Sequence, residues 1–208
     1  MSERQAAYVK GDSTTNQLLY IVHQIRSAWG KSNILEAIFL DIEGAFDKIW
    51  HKGLIAKLNQ ICIERKLLKT FQSYLTNRKQ IVVIDGHKSN IENITAGCPQ
   101  GSKLGPILFL IFINDIQKDI ESEILLFADD TSLLASGKDP AETTSILNRD
   151  LSKIESWAST WKVRFSAKKT KAVVFSKKVL CNSPALTFCG SFIERVVVLK
   201  RCSVTHQP

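Results

Sequence analysis

Apolar positions along the chain alternate between two periods, and the switches mark out the elements. After Ser13-Thr14-Thr15, which can cap a helix, Leu18, Ile21, Val22, Ile25 and Trp29 recur at helical spacing. The run "AIFLDI" (37–42) is compact and apolar and ends in an aspartate, the pattern of a buried strand. Ala45, Phe46, Ile49, Trp50, Leu54 and Leu58 return to helical spacing and predict one helix with a break at Gly53. "QIVVID" (80–85) before Gly86, followed by "NIENIT" (90–95), predicts a hairpin. Gly97 to Gly105 read as a glycine-punctuated loop, and Pro106 suits the first turn of an apolar helix through Ile113. "EILLF" and "TSLLA" predict strands on either side of Asp129-Asp130. Asp139-Pro140 opens a long amphipathic helix with Leu147, Leu151, Ile154, Ala158 and Trp161 on one stripe, and "KAVVF" (171–175) predicts a final strand. Interleaved strands and helices, without repeats or a linker, predict an α+β fold with helices on one face of a sheet.

Composition narrows the class without choosing a function. The 208 residues, 44% hydrophobic and 23% charged, suffice for one globular domain with its own core, or one and a fraction. Five cysteines, an odd number with no C-x-x-C pair, argue against a disulfide framework or zinc knuckle and fit a reducing, intracellular setting. No signal peptide is visible, and the apolar run from Leu104 to Ile113 is too short to span a bilayer. The net charge of +8 is concentrated: seven Lys and Arg, and no acid, lie between Lys162 and Lys178. Such a block is either a solvated face or a surface for phosphates.

The paired acids raise the question of chemistry. Asp129-Asp130 alone would be a solvated turn. Metal-assisted phosphoryl transfer uses two divalent ions about 4 Å apart, bridged by carboxylates, and needs an acid from a second strand end. Asp41, at the end of "AIFLD", is the candidate; the plain alternative is a helix N-cap. Hard oxygen ligands suit Mg²⁺.

Three segments in this order make the pattern specific. "FLDIEGAFDKIWHKGLIAKL", "GCPQGSKLGPILFLIFINDI" and "LLFADDTSLLA" resemble motifs A, B and C of reverse transcriptases, in the form found in non-LTR retrotransposons of the jockey-like kind. "STTNQLL", "SYLTNRKQIVVIDG" and "KKTKAVVFSKK" agree in position, so the resemblance runs from about residue 5 to residue 178. It implies a reverse transcriptase domain over residues 1–178, with a ferredoxin-like antiparallel palm and part of the fingers. Residues 179–208 would be a degenerate or truncated continuation towards a thumb that is missing. The palm strands fall near 37–41, 123–127, 131–135 and 171–175.

By this resemblance Asp41, Asp129 and Asp130 are the catalytic carboxylates and, with the Ile42 carbonyl, the ligands of two Mg²⁺ ions, with Mn²⁺ an alternative. Ala45, Phe46, Gln100 and Gly101 would bind the nucleotide, with Phe46 as the steric gate against a ribose 2′-hydroxyl; as a plain sequence position Phe46 reads as core. Lys169 resembles the lysine that protonates departing pyrophosphate, against the alternative of one more surface lysine. The implied partners are an RNA template, a DNA primer and dNTPs, with no membrane and no indication of oligomeric state. The implied location is intracellular, in nucleus and cytoplasm if functional. A viral RNA-dependent RNA polymerase prefers G-D-D and a hydrogen-bonding acid at the gate, so F-A-D-D and Phe46 point away from that class.

Three positions depart from the family pattern: Val9 where an arginine is usual, Ser166 where an asparagine is usual, and Lys103 where an apolar residue is usual. Two functional expectations follow. One is RNA-templated DNA synthesis by two-metal nucleotidyl transfer in retrotransposition. The other is an inactive, decayed fragment that folds and at most binds nucleic acid.

Overall fold

The computed structural model describes residues 5–8, 11–99, 101–177 and 183–199. Helix α1 (Thr14–Gly30) starts as expected, with the Ser13 hydroxyl accepting the Asn16 amide at 3.2 Å. Strand β1 (Ile34–Leu40) follows and ends one residue before Asp41. Helices α2 (His51–Gln60) and α3 (Arg65–Leu75) lead to four two-residue strands: β2 (Lys79–Gln80), β3 (Val83–Ile84), β4 (His87–Lys88) and β5 (Glu92–Asn93). Then come α4 (Leu104–Ile113), β6 (Glu123–Phe127), β7 (Asp130–Gly137), α5 (Pro140–Trp161) and β8 (Lys171–Ser176). Three strands close the described chain: β9 (Thr187–Phe188), β10 (Ser191–Phe192) and β11 (Glu194–Leu199).

The main sheet has the order β11-β8-β1-β7-β6. Four of its strands, β8-β1-β7-β6, are antiparallel neighbours, and β11 adds a parallel edge strand beside β8. Alternation along β1 divides the interior. Ile38 and Leu40 face α2, α4 and α5 in the larger core, while Leu35 and Ala37 meet Ile25 and Ala28 of α1 on the opposite face. The α+β palm is therefore present, with α1 covering a second face of the sheet and β11 making it mixed.

Two elements differ from the sequence reading. The helix expected from Ala45 begins only at His51. Residues 43–47 form a turn with Gly44 at φ 59°, and Trp50 pairs with Ala96 in an isolated bridge. The apolar side chains of the turn still point inward, which mimics helical spacing. Gly53 is no break: it lies inside α2, where an added Cβ would strike the Trp50 indole. The expected 80–85/90–95 hairpin is split into two ladders, β2 with β5 and β3 with β4. Ile81 and Val82 lie between the ladders, with the Val82 amide on the Ser89 hydroxyl at 3.0 Å. The tip, Asp85-Gly86, has φ of 48° and 81°, the backbone that a tight hairpin turn requires.

One buried cation ties three helices together. Lys57 of α2 is 4% exposed, and its ammonium donates to the Phe112 carbonyl and to Asp115 Oδ1, both at 2.5 Å. It lies 3.9 Å from the Trp161 ring centroid, and the Trp157 indole donates to the same Asp115 oxygen at 2.8 Å. Burial lowers its pKa from 10.5 to about 8, opposed by the hydrogen bond and charge of Asp115. The folded pKa is thus below the unfolded one, and between those values the unfolded chain binds more protons. Stability of the wild type relative to Lys57→Met should therefore rise from pH 8 to pH 10.5, by ~3 kcal/mol at most. Urea titrations across that range test this; a flat difference between the two proteins would contradict it.

Candidate active site

The sheet register brings the sequence-predicted acids to one edge. Leu40 pairs with Thr131, so extending the register by one residue brings Asp41 level with Asp130. Phe127 pairs with Asp130 across a two-residue turn of Ala128 and Asp129. Asp41 and the Asp129-Asp130 doublet are therefore delivered by adjacent strands, a rigid support for a charged site. Partial desolvation first, and then the negative charges of Asp129 and Asp41, push the carboxyl of the largely exposed Asp130 above its ordinary range.

A second segment closes over Asp41. Ile42 bridges Phe165; the two flanking bonds run from the Ser166 amide to the Asp41 carbonyl at 2.8 Å and from the Glu43 amide to the Arg164 carbonyl at 2.9 Å. Neither of these bonds involves the Ile42 carbonyl. Ser166, the residue in place of the usual asparagine, also accepts from the amides of Lys169 and Thr170 and from the Thr170 hydroxyl. The resulting turn carries the Lys169 ammonium to 3.2 Å from Asp41 Oδ2 and 3.5 Å from Oδ1. Only the Oδ1 contact has hydrogen-bond geometry, and buried Oδ2 has no hydrogen-bond partner among the described residues.

Two of the four nucleotide-binding candidates, Phe46 and Gly101, line an open cavity of about 340 Å³, together with Tyr8, Pro99, Ser102, Lys103, Gly105 and Pro106. The Phe46 ring stacks, tilted, on Phe109 with centroids 5.0 Å apart, so core packing holds it where it lines the cavity. Gly97 lets the two walls approach: its amide donates to the Ile49 carbonyl, the Cys98 amide donates to the Phe46 carbonyl, and an added Cβ would lie 2.6 Å from the Asp47 carbonyl oxygen. Gly101 has φ 76°. Lys103 is exposed at the lip of the cavity. Ala45 is buried below, against the core rather than in the cavity. Gln100, Val9 and Lys10 lie outside the described residues.

The residues fit a divalent metal in their chemistry. Three carboxylates share one edge, an Asp41 oxygen has no hydrogen-bond partner among the described residues, and the acids repel one another, which a bound cation would offset. Among the described residues, however, no three His, Cys, Asp or Glu side chains are gathered closely enough to hold one ion. Two residues at the site gave no signal in the sequence reading. Tyr8 has φ 59° and lies on the cavity wall, and Gln5 is buried with its side-chain oxygen accepting the Ala128 amide. Only the adjacency of residues 5–8 to β6, a tertiary fact, reveals either.

Four antiparallel strands, acids at two adjacent strand ends and a separate cavity walled by Tyr8 and Phe46 make up the α+β fold of a polymerase palm. The chain belongs to the reverse transcriptase (RNA-dependent DNA polymerase) family, whose model matches residues 1–192. It is 33% identical over 200 residues to the RNA-directed DNA polymerase from mobile element jockey of Drosophila melanogaster, covering 92% of this chain and 22% of that protein. It is 30% identical over 201 residues to the probable RNA-directed DNA polymerase from transposon X-element of the same fly, covering 94% and 21%. The chain thus spans about a fifth of the length of these relatives. In fold it is similar to apo telomerase from Candida tropicalis truncated from its C-terminal domain, with TM-score 0.60, 17% identity and coverage of 92% and 39%. Telomerase from Candida albicans in complex with a telomeric RNA fragment gives TM-score 0.61 at 14% identity, covering 90% and 33%. No helix among the described residues is long and apolar enough to cross a membrane.

Proposed function

We propose that this chain provides the palm of a non-LTR retrotransposon enzyme that synthesises DNA on an RNA template by nucleotidyl transfer. The observation that carries the proposal is the convergence of Asp41 with Asp129 and Asp130 at one sheet edge, in a chain whose Phe46 and Gly101 line an open cavity. Two Mg²⁺ ions, or Mn²⁺, supply activation of the primer hydroxyl and charge stabilisation at the transferred phosphate when bound. Asp41, Asp129, Asp130 and the Ile42 carbonyl are the residues to hold them. Phe46 and Gly101 shape the sugar side of the dNTP site, Ala45 supports Phe46 from the core, and Gln100 lies against the nucleotide. Lys169 supplies the proton that pyrophosphate takes as it leaves. The basic run beyond Lys162 provides cations for template and primer phosphates. The enzyme would act inside the cell, in cytoplasm and nucleus.

A second reading has its own observation. Lys169 already pairs with Asp41, and the three acids do not form a ligating cluster. That arrangement favours a chain that folds and binds nucleic acid without turnover. Primer extension on an RNA template with Mg²⁺, comparing wild type with Asp129→Asn, separates the two. Extension by the wild type alone supports synthesis. Equal extension by both removes Asp129 from the site, and none by either supports the inactive chain.

Phe46→Ala provides a further check on the cavity. Opening the space beside the sugar should raise incorporation of ribonucleotides relative to deoxynucleotides at least about tenfold. Unchanged sugar selectivity would return Phe46 to a packing role against Phe109.

A further inference from the structure

The turn that presents the acid pair is strained, and one buried side chain outside the acid cluster holds it. Ala128, its first residue, has φ 55° and is 8% exposed. A Cβ-bearing residue is disfavoured there, and glycine is the usual occupant of the first position in a two-residue turn of this kind. Gln5 is 5% exposed and bridges Leu126 in parallel, while the Ala6 amide donates to the Leu126 carbonyl at 3.0 Å. Gln5 Oε1 accepts the Ala128 amide at 3.1 Å and the Ala7 amide at 3.0 Å. Both groups facing that atom are N–H donors, which sets the orientation of the carboxamide. Its Nε2 is buried and has no hydrogen-bond partner among the described residues. The side chain leaves its own donor unsatisfied while meeting two backbone amides, one of them at the left-handed residue.

We propose that Gln5 is a positioning residue of the active site. By accepting the Ala128 amide it holds the left-handed turn in the shape that presents Asp129 and Asp130; the catalytic consequence rests on the reading of those acids as metal ligands. Gln5 touches neither acid in this role. It acts through the backbone of the residue before them, across a separation of more than a hundred residues in sequence.

The test uses the full chain and three readouts: hydrogen exchange at the residue 128 amide, affinity for Mn²⁺ alone, and primer extension. Gln5→Leu removes the acceptor. It should speed exchange at residue 128 and weaken Mn²⁺ binding by about tenfold or more. It should lower the extension rate with little change in KM for dNTP. Adding Ala128→Gly removes the need for the clamp, so the double variant should regain Mn²⁺ affinity while exchange at residue 128 stays fast. Gln5→Glu keeps an oxygen acceptor in place and should retain slow exchange, which covers the case in which Gln5→Leu fails to fold. Wild-type Mn²⁺ affinity in Gln5→Leu, or no rescue by Ala128→Gly, overturns the role in positioning the acids. Fast exchange in Gln5→Glu overturns the clamp itself. If the wild type binds no Mn²⁺ and extends no primer, the metal reading falls, and loss of slow exchange in Gln5→Leu still supports the clamp.

Discussion

Asp41→Asn is expected to reduce primer extension on the order of 10³-fold or more, with the fold intact. The size follows from what the substitution removes and what it leaves. Asn keeps the volume and one oxygen but loses the charge that makes this position a metal ligand. The Ser166–Asp41 bond that holds the neighbouring turn uses the backbone carbonyl, so it survives. The side chain also faces Lys169 at 3.2 Å, and this pairing supplies a second comparison. Lys169→Ala removes a proton donor and also frees an Asp41 oxygen, and it should cost about 10²-fold. Single-turnover extension with saturating primer-template and Mg²⁺ measures both variants. If Asp41→Asn retains more than about a tenth of wild-type turnover, Asp41 is a structural acid and its pairing with Lys169 is its purpose.

The parts of this molecule that were legible in its sequence are those in which local chemistry and tertiary position agree. The apolar run into Asp41, the two strands around Asp129-Asp130, the Ser13 and Asp139 caps and the long α5 stripe all have short-range causes, and all lie where their patterns place them. The failures have a common cause in contacts made across sequence. Ala45, Phe46 and Ile49 have helical spacing, but Gly97 pulls that segment against the 96–98 backbone and leaves it as a turn. Lys57 drew no expectation from the sequence, and its enclosure by α4 and α5 is set by contacts across the chain. Gln5 carries no local signal at all. Residues Glu194–Leu199 are rich in β-branched side chains and could have been read as the strand that β11 is. The acids at the site are fixed by strand register and are readable. The residues that hold their surroundings are fixed by packing and are not.

Glu36→Ala should be the most destabilising single change in the sheet, at about 3–5 kcal/mol. Glu36 lies at the centre of β1, fully buried, and its Oε2 accepts the hydroxyls of Thr143 and Thr144 at 2.8 and 3.2 Å. Its Oε1 receives Arg195 Nε at 2.8 Å, and the second guanidinium nitrogen stands at the same distance. Arg195 belongs to β11 and reaches past β8 to β1, so this pair ties the parallel edge strand to the centre of the sheet. Truncation would leave a guanidinium that is 15% exposed without its counter-charge and the Thr144 hydroxyl without its acceptor, while the Thr143 hydroxyl keeps the Pro140 carbonyl at 3.3 Å. Replacing both partners with apolar residues, Glu36→Leu with Arg195→Met, should cost much less, because the desolvated charges leave together. Thermal unfolding should show the single variant melting roughly 6–20 °C lower and the double variant close to the wild type. The same comparison separates scaffold from site. Glu36 lies on β1, five residues before Asp41, which follows the end of that strand, yet at a temperature where both proteins are folded the Glu36→Ala variant should bind Mn²⁺ as the wild type does. A loss below about 1 kcal/mol would mean that Arg195 finds solvent or the Pro184 carbonyl instead, and that β11 is held by its backbone ladder with β8 alone.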